Sequence, residues 1–438
     1  MPDSTTAGRA PLAGYRVLDI TQMIAGPLGC ELLSDMGGEV IKIEPIDGES
    51  TRHTAGVVPL EGLSFIMYNR GKRSIPVDLR TEEGRQIVHR LVKTADVAVV
   101  GYRPDVCLEF GLGYEELSAL NPRLVYLQNT AFGSRGPMAQ QGGYDIVVQG
   151  LSGLMALNQG TDEEGQPRQI VPAYADYMTA AIIAWAVTAA LMVRERTGEG
   201  QQVETSLLAS ALLGQVGRLR YFEALDADST REFLEKLRVM RQENRPWKDQ
   251  LALRSERLIP ANIYYRAYPT ADSYLIVACL NNPTRVKFLN IIGVEDFRVV
   301  NGHLITAVEP ADDTPERRDR LRSIVAAAEA VMRTKTTSEW LQVLTREKIP
   351  AGPLRFPEEV FFDEQVEAND YLARLEHPVA GPYRTVAPPI RMSKTPLSIQ
   401  STAPLFGQHT REVLLELGFA EADIEGLIER GIVADRRH

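Results

Sequence analysis

One carboxylate, Asp176, stands in the stretch Val171-Pro-Ala-Tyr-Ala-Asp-Tyr-Met-Thr, just ahead of an alanine-rich run without charge over residues 180–193. A lone carboxylate at the head of an apolar helix has two uses. It can cap the helix, whose free N–H groups and partial positive charge favour an anion. It can also be a nucleophile, because an aspartate with a reference pKa of about 3.9 is ionised at neutral pH without a base beside it. No Ser/His/Asp or Cys/His arrangement is visible. The six histidines are scattered without paired spacing, so no metal site is expected. Cys30, Cys107 and Cys279 lie too far apart to suggest a disulfide framework or a CxxC metal site.

The elements that must position Asp176 follow from hydrophobic patterning. Residues 180–193 read as a helix packed on most of its faces. Upstream, short β-like runs at 16–20, 40–43, 97–100 and 124–127 alternate with helical patterns. That alternation predicts an α/β fold with an open, mainly parallel, Rossmann-like sheet. Such sheets bind ligands beyond the carboxyl ends of their strands, which directs attention to the turns after Ile20 and Val100. Neither turn carries GxGxxG or GxxxxGKS, against NAD or ATP. Residues 221–257 are strongly charged and read as a solvated helix or linker. Strands at 262–268 and 273–279 then open a smaller α+β lobe. The expected division is 1–225 for the first part of a discontinuous large domain, 226–344 for the linker and small domain, and 345–438 for the return. Trp185, Trp247 and Trp340 read as core or lobe-contact residues, and His409 as orienting the helix that follows it.

With 438 residues and 44% apolar content, the chain can bury more than one core. A net charge of -10 argues against a general nucleic-acid binder. The N-terminal residues lack the apolar core of a signal peptide, and the 180–193 run is short for a bilayer, so a cytoplasmic protein with no membrane partner is expected.

The blocks Leu12-Ala-Gly-Tyr-Arg-Val-Leu-Asp-Ile-Thr, Leu33-Ser-Asp-Met-Gly-Gly-Glu-Val-Ile-Lys-Ile-Glu-Pro, Asn69-Arg-Gly-Lys-Arg-Ser-Ile-Pro-Val-Asp-Leu-Arg, Gly143-Tyr-Asp-Ile-Val-Val-Gln-Gly and Arg196-Thr-Gly-Glu-Gly-Gln, with Ile349-Pro-Ala-Gly-Pro and Leu405-Phe-Gly-Gln-His-Thr near the end, occur in one order. Together they resemble the family III CoA transferases along nearly the whole chain. The resemblance implies that Asp176 is the nucleophile, forming aspartyl anhydride and aspartyl-CoA thioester intermediates. It implies CoA contacts at Met23, Ile24 and Ala25, at Val77, Asp78, Leu79 and Arg80, and at Gly101, Tyr102 and Arg103. Gln22, Ile24 and Ala25 are candidates for oxyanion or polar contacts. The substrates implied are an acyl-CoA and a small carboxylic acid, with CoA thioesters as substrates rather than a permanently bound cofactor. Two chains are expected to form an interlocked homodimer.

The chain also departs from the family pattern. Gly101-Tyr-Arg-Pro-Asp stands where Asn-Phe-Arg-Pro-Gly is common, Glu109 and Pro45 replace basic residues, and Lys72 or Arg73 is expected to supply a missing phosphate contact. Racemases on this scaffold carry a histidine where this chain has Tyr144, a poor replacement base. A CoA-binding subunit without turnover is the alternative of another class. A succinyl-CoA-type donor is preferred, and Arg52, Arg135, Arg168, Arg218 and Arg220 are the candidates to meet a second carboxylate.

Overall fold

A computed structural model describes residues 10–56, 58–255, 262–305 and 314–435. They form two compact units, one comprising the chain as far as Asp228 and from Asn369 onward, the other running from Ser229 to Ala368.

The first unit begins β1 (Arg16–Ile20), α1 (Ala25–Asp35), β2 (Glu39–Glu44), α2 (Leu63–Tyr68), β3 (Lys72–Pro76), α3 (Glu82–Val92), β4 (Val97–Val100), α4 (Pro104–Glu109), α5 (Tyr114–Leu120) and β5 (Val125–Thr130). It continues with α6 (Asp145–Leu151), α7 (Leu154–Asn158), α8 (Tyr174–Thr197), β6 (Gln201–Ser206) and α9 (Leu207–Leu213). Six strands make one sheet in the order β3-β2-β1-β4-β5-β6, and every pairing is parallel. The strands expected at 16–20 and 97–100 fall on β1 and β4, and those at 40–43 and 124–127 overlap β2 and β5. β4 is apolar throughout and wholly buried, as a parallel strand covered on both faces must be. Along β1 the faces alternate: Leu18 and Ile20 join a core with α3 residues Ile87 and Leu91, while Val17 joins a second core with α8 residues Ile183 and Val187. The chain leaves β1 toward β2 and β3 on one side and returns to β4 on the other, so the carboxyl ends of β1 and β4 meet at the switch point. There Gly101 N–H donates to Ile20 O at 3.0 Å.

α8 packs along α1. A side chain on Gly29 would come within 2.8 Å of Ile183 Cγ2 and 3.2 Å of Ala180 O, so the backbone approach requires glycine there. Gly198, in the left-handed region, ends α8 by donating to Arg194 O at 2.7 Å. The expectation that α8 is packed on most faces is corrected. Tyr177, Trp185 and Met192 form an outward stripe, with Trp185 66% and Met192 59% exposed. The helix is also longer than the charge-free run. By length and composition its 24 residues could cross a membrane, and 39% of its apolar window is buried in the protein.

The second unit takes most of α10 (Glu223–Gln242), then α11 (Trp247–Ser255), β7 (Tyr265–Pro269), β8 (Tyr274–Ala278) and α12 (Asn282–Ile292). It goes on through the short β9 (Val299–Val300) and β10 (His303–Leu304), α13 (Pro315–Met332), α14 (Thr337–Arg346), β11 (Ala351–Pro353), α15 (Pro357–Val360) and α16 (Glu364–Ala368). β7 and β8 are the antiparallel strands expected near 262–279, and Trp340 is buried, its Nε1–H donating to Met332 O at 2.7 Å. β11 pairs with the free edge of β8, which holds the chain in this unit beyond the expected crossing at 344/345.

The first unit resumes with β12 (Leu372–His377), β13 (Gly381–Val386), α17 (Thr410–Glu416) and α18 (Glu421–Glu429). His409 docks α17 on edge strand β3: its Nδ1 accepts Ser74 N–H at 3.1 Å, and its own N–H donates to Ser74 O at 3.1 Å. That covers a sheet edge otherwise open to pairing.

Candidate active site

Asp176 lies inside the first turn of α8, as its third residue, and the N-cap position is Ala173, which supplies no side-chain cap. The capping acceptor comes from elsewhere. Asp145, the first residue of α6, accepts the N–H of Ala175 at 2.7 Å and that of Asp176 at 3.4 Å on Oδ1. Asp145 is buried, and its Oδ2 accepts Gln149 Nε2 at 2.5 Å. Gln149 in turn takes Ile170 N–H on Oε1 at 2.8 Å and donates to Ile170 O at 2.9 Å, tying down the segment that leads into α8. Of the two uses open to Asp176, the capping one is thereby taken by another residue. Asp145 caps the helix, and the Asp176 carboxylate accepts no hydrogen bond among the described residues.

Burial pushes the Asp176 carboxyl up to about 7, and the negative charge of Asp145 adds to the shift. The half-buried Tyr68, at the end of α2, places its hydroxyl 2.8 Å from the Tyr177 hydroxyl, the rings meeting edge to face at 6.2 Å. Burial first, then the Tyr177 hydrogen bond and the charges of Asp176 and Glu31, hold the Tyr68 phenol well above its ordinary value. A neutral phenol thus stands beside the carboxylate. Ala25 and Ala175 share a small apolar cluster with Val148, Leu207 and Ala211, which brings the N-terminal ends of α1 and α8 together.

The turn between β1 and α1 is built on a buried ion cluster. Lys72 Nζ donates to Asp19 Oδ2, Pro27 O and Asn69 Oδ1, each at 2.8 Å, and Lys42 Nζ donates to Thr21 O at 2.8 Å and pairs with Glu49 at 2.8 Å. Burial would raise the Asp19 carboxyl, but Lys42 and Lys72 outweigh it and hold the group below the usual carboxylate range. The two lysines grip Thr21 and Pro27, the ends of a turn in which Met23 takes φ +70°. A positive φ at a non-glycine residue is a strained conformation that persists only where surroundings impose it. Gln22 Nε2 donates to Tyr102 OH at 3.1 Å, joining this turn to the one after β4.

The remaining sequence candidates fall into three groups. Met23, Ile24 and Ala25, with Gly101, Tyr102 and Arg103, lie at the switch point. Tyr102 packs its ring edge to face on Phe110 at 5.8 Å. Val77 and Leu79 bury their side chains in the core, leaving backbone for contact, while Arg80 pairs with Asp78 at 2.8 Å and Arg103 with Asp105 at 3.0 Å. Lys72 and Arg73 do not serve as spare phosphate ligands: Lys72 is buried in the ion cluster, and Arg73 binds Glu39, Glu412 and Glu416. Arg52 is likewise withdrawn, fully buried on Glu44 at 2.5 Å and under Phe65. Arg135, Arg168, Arg218 and Arg220 are exposed and meet no carboxylate among the described residues. Tyr144 is 64% exposed. The stretch between Arg254 and Tyr265 lies mostly outside the described residues. Sequence reasoning did not select Asp145, Tyr68 or Tyr177. Asp145 and Gln149 sit in the Gly-Tyr-Asp block, and that recurrence was the available signal.

A family model described as CoA-transferase family III matches residues 12–410. A succinate–glutarate CoA-transferase of Agrobacterium fabrum is 34% identical over 424 residues, covering 93% of this chain and 96% of that protein. The succinyl-CoA:glutarate CoA-transferase of Mus musculus is 32% identical, covering 99% and 92%. Among solved structures, a CaiB/BaiF family protein from Brucella suis superposes with a TM-score of 0.69 at 29% identity, covering 93% of this chain and all of that one.

Proposed function

The chain belongs to CoA-transferase family III and is an acyl-CoA:carboxylate CoA-transferase, and from that premise we propose that it moves CoA from succinyl-CoA to a dicarboxylate of the glutarate class through covalent chemistry on Asp176. The observation that carries the reading is the state of that carboxylate: half-buried, free of hydrogen bonds among the described residues, and relieved of capping by Asp145. The donor and acceptor follow the named activities of relatives that span almost the whole chain. Arg135, Arg168, Arg218 and Arg220 are the cations open to a distal carboxylate.

In the proposed sequence, Asp176 attacks the thioester carbonyl and expels CoA thiolate, leaving a mixed aspartyl-acyl anhydride. The thiolate attacks the aspartyl carbonyl and releases the donor acid, leaving an aspartyl-CoA thioester. The acceptor carboxylate attacks that thioester and expels thiolate, which then attacks the acceptor acyl carbonyl of the second anhydride. Product acyl-CoA leaves and Asp176 is again a carboxylate, with no net proton change. Each tetrahedral step puts charge on an oxygen that needs donors already in place. The unpaired first-turn amides near Ile24 and Ala25, with Gln22, are the proposed donors. CoA is proposed to lie across the switch point, on Met23, Ile24 and Ala25, the Val77-Asp78-Leu79 backbone and Gly101 and Tyr102. Arg80 and Arg103 would exchange their neighbouring aspartates for phosphate.

The test is incubation with a panel of acyl-CoAs followed by peptide mass analysis. An acyl or CoA adduct on the Asp176 peptide, strongest with succinyl-CoA, is expected; an adduct on any other residue, or none with any donor, rejects the reading. The raised Asp176 value also sets a pH dependence. Protonated Asp176 is not a nucleophile, so kcat/KM for the acyl-CoA should rise with pH through an apparent pKa of about 7 and level off above it. A flat profile between pH 5 and 8 would exclude Asp176 as the titrating nucleophile.

A homodimer belongs to the same proposal, with the outward stripe of α8 covered by the second copy rather than by lipid. Light scattering should then give twice the chain mass. Trp185→Glu, which places a charge in that face, should lose the dimer or unfold at least ~5 °C lower. An unchanged dimer of unchanged stability would place the interface elsewhere.

A further inference from the structure

We propose that Asp145 is the positioning residue of the nucleophile: from α6 it takes over the capping of α8 and so leaves the Asp176 carboxylate uncommitted for attack. The inference deepens the reading of Asp176 as the nucleophile. A carboxylate in the first turn of a helix normally spends an oxygen on the free amides there. Here the amides of Ala175 and Asp176 already have an acceptor, Asp145 Oδ1, at 2.7 and 3.4 Å. Asp145 cannot turn away, because Gln149 Nε2 holds its other oxygen at 2.5 Å. Gln149 is itself fully buried and fixed by both backbone groups of Ile170, at 2.8 and 2.9 Å. Side chains of α6 therefore hold both the approach to α8 and its first turn.

A second consequence is electrostatic. Asp145 places a negative charge close to Asp176, which raises the proton affinity of the nucleophile beyond what burial achieves. A more basic carboxylate is a better nucleophile toward a thioester carbonyl. The other titratable groups around Asp176 are Tyr68 from α2 and Tyr177 from α8, with Glu31 of α1 acting on Tyr68; α9 contributes none. Among them Asp145 is the carboxylate that acts on Asp176 directly.

Asp145→Asn separates the two effects, since its Oδ1 can still cap the helix while the charge is gone. The acid limb of kcat/KM should move from about pH 7 to lower pH by roughly one unit, with kcat on the high-pH plateau reduced by up to ~10-fold as the weaker base attacks more slowly. A second measurement does not depend on turnover. The stability difference between wild type and Asp176→Asn tracks the Asp176 pKa through its pH dependence, and its midpoint should fall when both chains also carry Asp145→Asn. Asp145→Ser, an uncharged acceptor without an amide facing Gln149, serves if the asparagine variant does not fold. A limb and a stability midpoint that both stay put overturn the proposal. A midpoint that moves while Asp176→Asn keeps full transfer activity shows the Asp145 charge acting on Asp176 but removes Asp176 as the nucleophile, so it is the underlying reading, and with it the positioning role, that falls.

Discussion

Asp176→Asn should abolish CoA transfer, by roughly 10⁴-fold or more, and yield a more stable protein. The loss follows from the chemistry, because an amide oxygen does not attack a thioester to give an anhydride. The scaffold should remain, since no described hydrogen bond ends on the Asp176 carboxylate and the cap of α8 belongs to Asp145. The gain in stability follows from the sign of the pKa shift. The folded state holds the Asp176 proton more tightly than the unfolded chain does, so ionising it at neutral pH works against folding. That cost is absent below about pH 4, grows as pH rises toward 7, and is constant above it. Asparagine removes a cost of about 4 kcal/mol by that shift, but burying its own unpartnered amide takes part of it back, leaving a gain on the order of 2 kcal/mol at pH 8 and close to none at pH 4. Denaturant unfolding at both pH values, with succinyl-CoA exchange assayed beside it, checks both halves. Loss of activity accompanied by loss of stability would mean that Asp176 supports the fold instead.

Lys72→Met should be the most damaging single change to the first unit, at about 3–5 kcal/mol. The ammonium group is fully buried and meets Asp19, Asn69 and the carbonyls of Pro27 and Tyr68. Methionine fills a similar volume but leaves Asp19 with Lys42 at 3.6 Å as its remaining cation, and strands two carbonyls without a donor. Breaking one side of a buried pair costs far more than a surface pair is worth. The damage should also reach the turn proposed to bind CoA, because Lys72 holds Pro27 and, through Asp19, Thr21. A fall in the urea midpoint together with a higher KM for acyl-CoA is the expected result. A stability change under ~1 kcal/mol would mean the cluster is not what fixes the turn.

What could be read from the chain was local. Apolar runs such as 97–100 lie on buried parallel strands because a strand covered on both faces has no polar positions to spare. Asp176 could be picked out because the family blocks around it lie in the sequence; one carboxylate at the head of an apolar helix by itself reads first as a cap. The misreadings share a cause. Lys72 and Arg73 looked free because a sequence gives no sign of which carboxylates will surround a cation, and here acids far away in the chain took both. The α8 stripe looked buried because an uncharged helix reads the same whether its last face meets its own core or another surface. The chain stayed longer in the second unit than composition suggested because a three-residue strand, β11, gains its place only by pairing with β8.

The sequence by itself determined the family, the alternating α/β order and the one carboxylate worth testing, since those reside in residue types and their spacing. Only the tertiary structure decided what that carboxylate is free to do. The cap from Asp145, the phenols of Tyr68 and Tyr177 and the burial that moves the Asp176 proton equilibrium all depend on distance through space. Hydrogen bonds and charges act over ångströms, and the fold alone brings α2, α6 and α8 within that range.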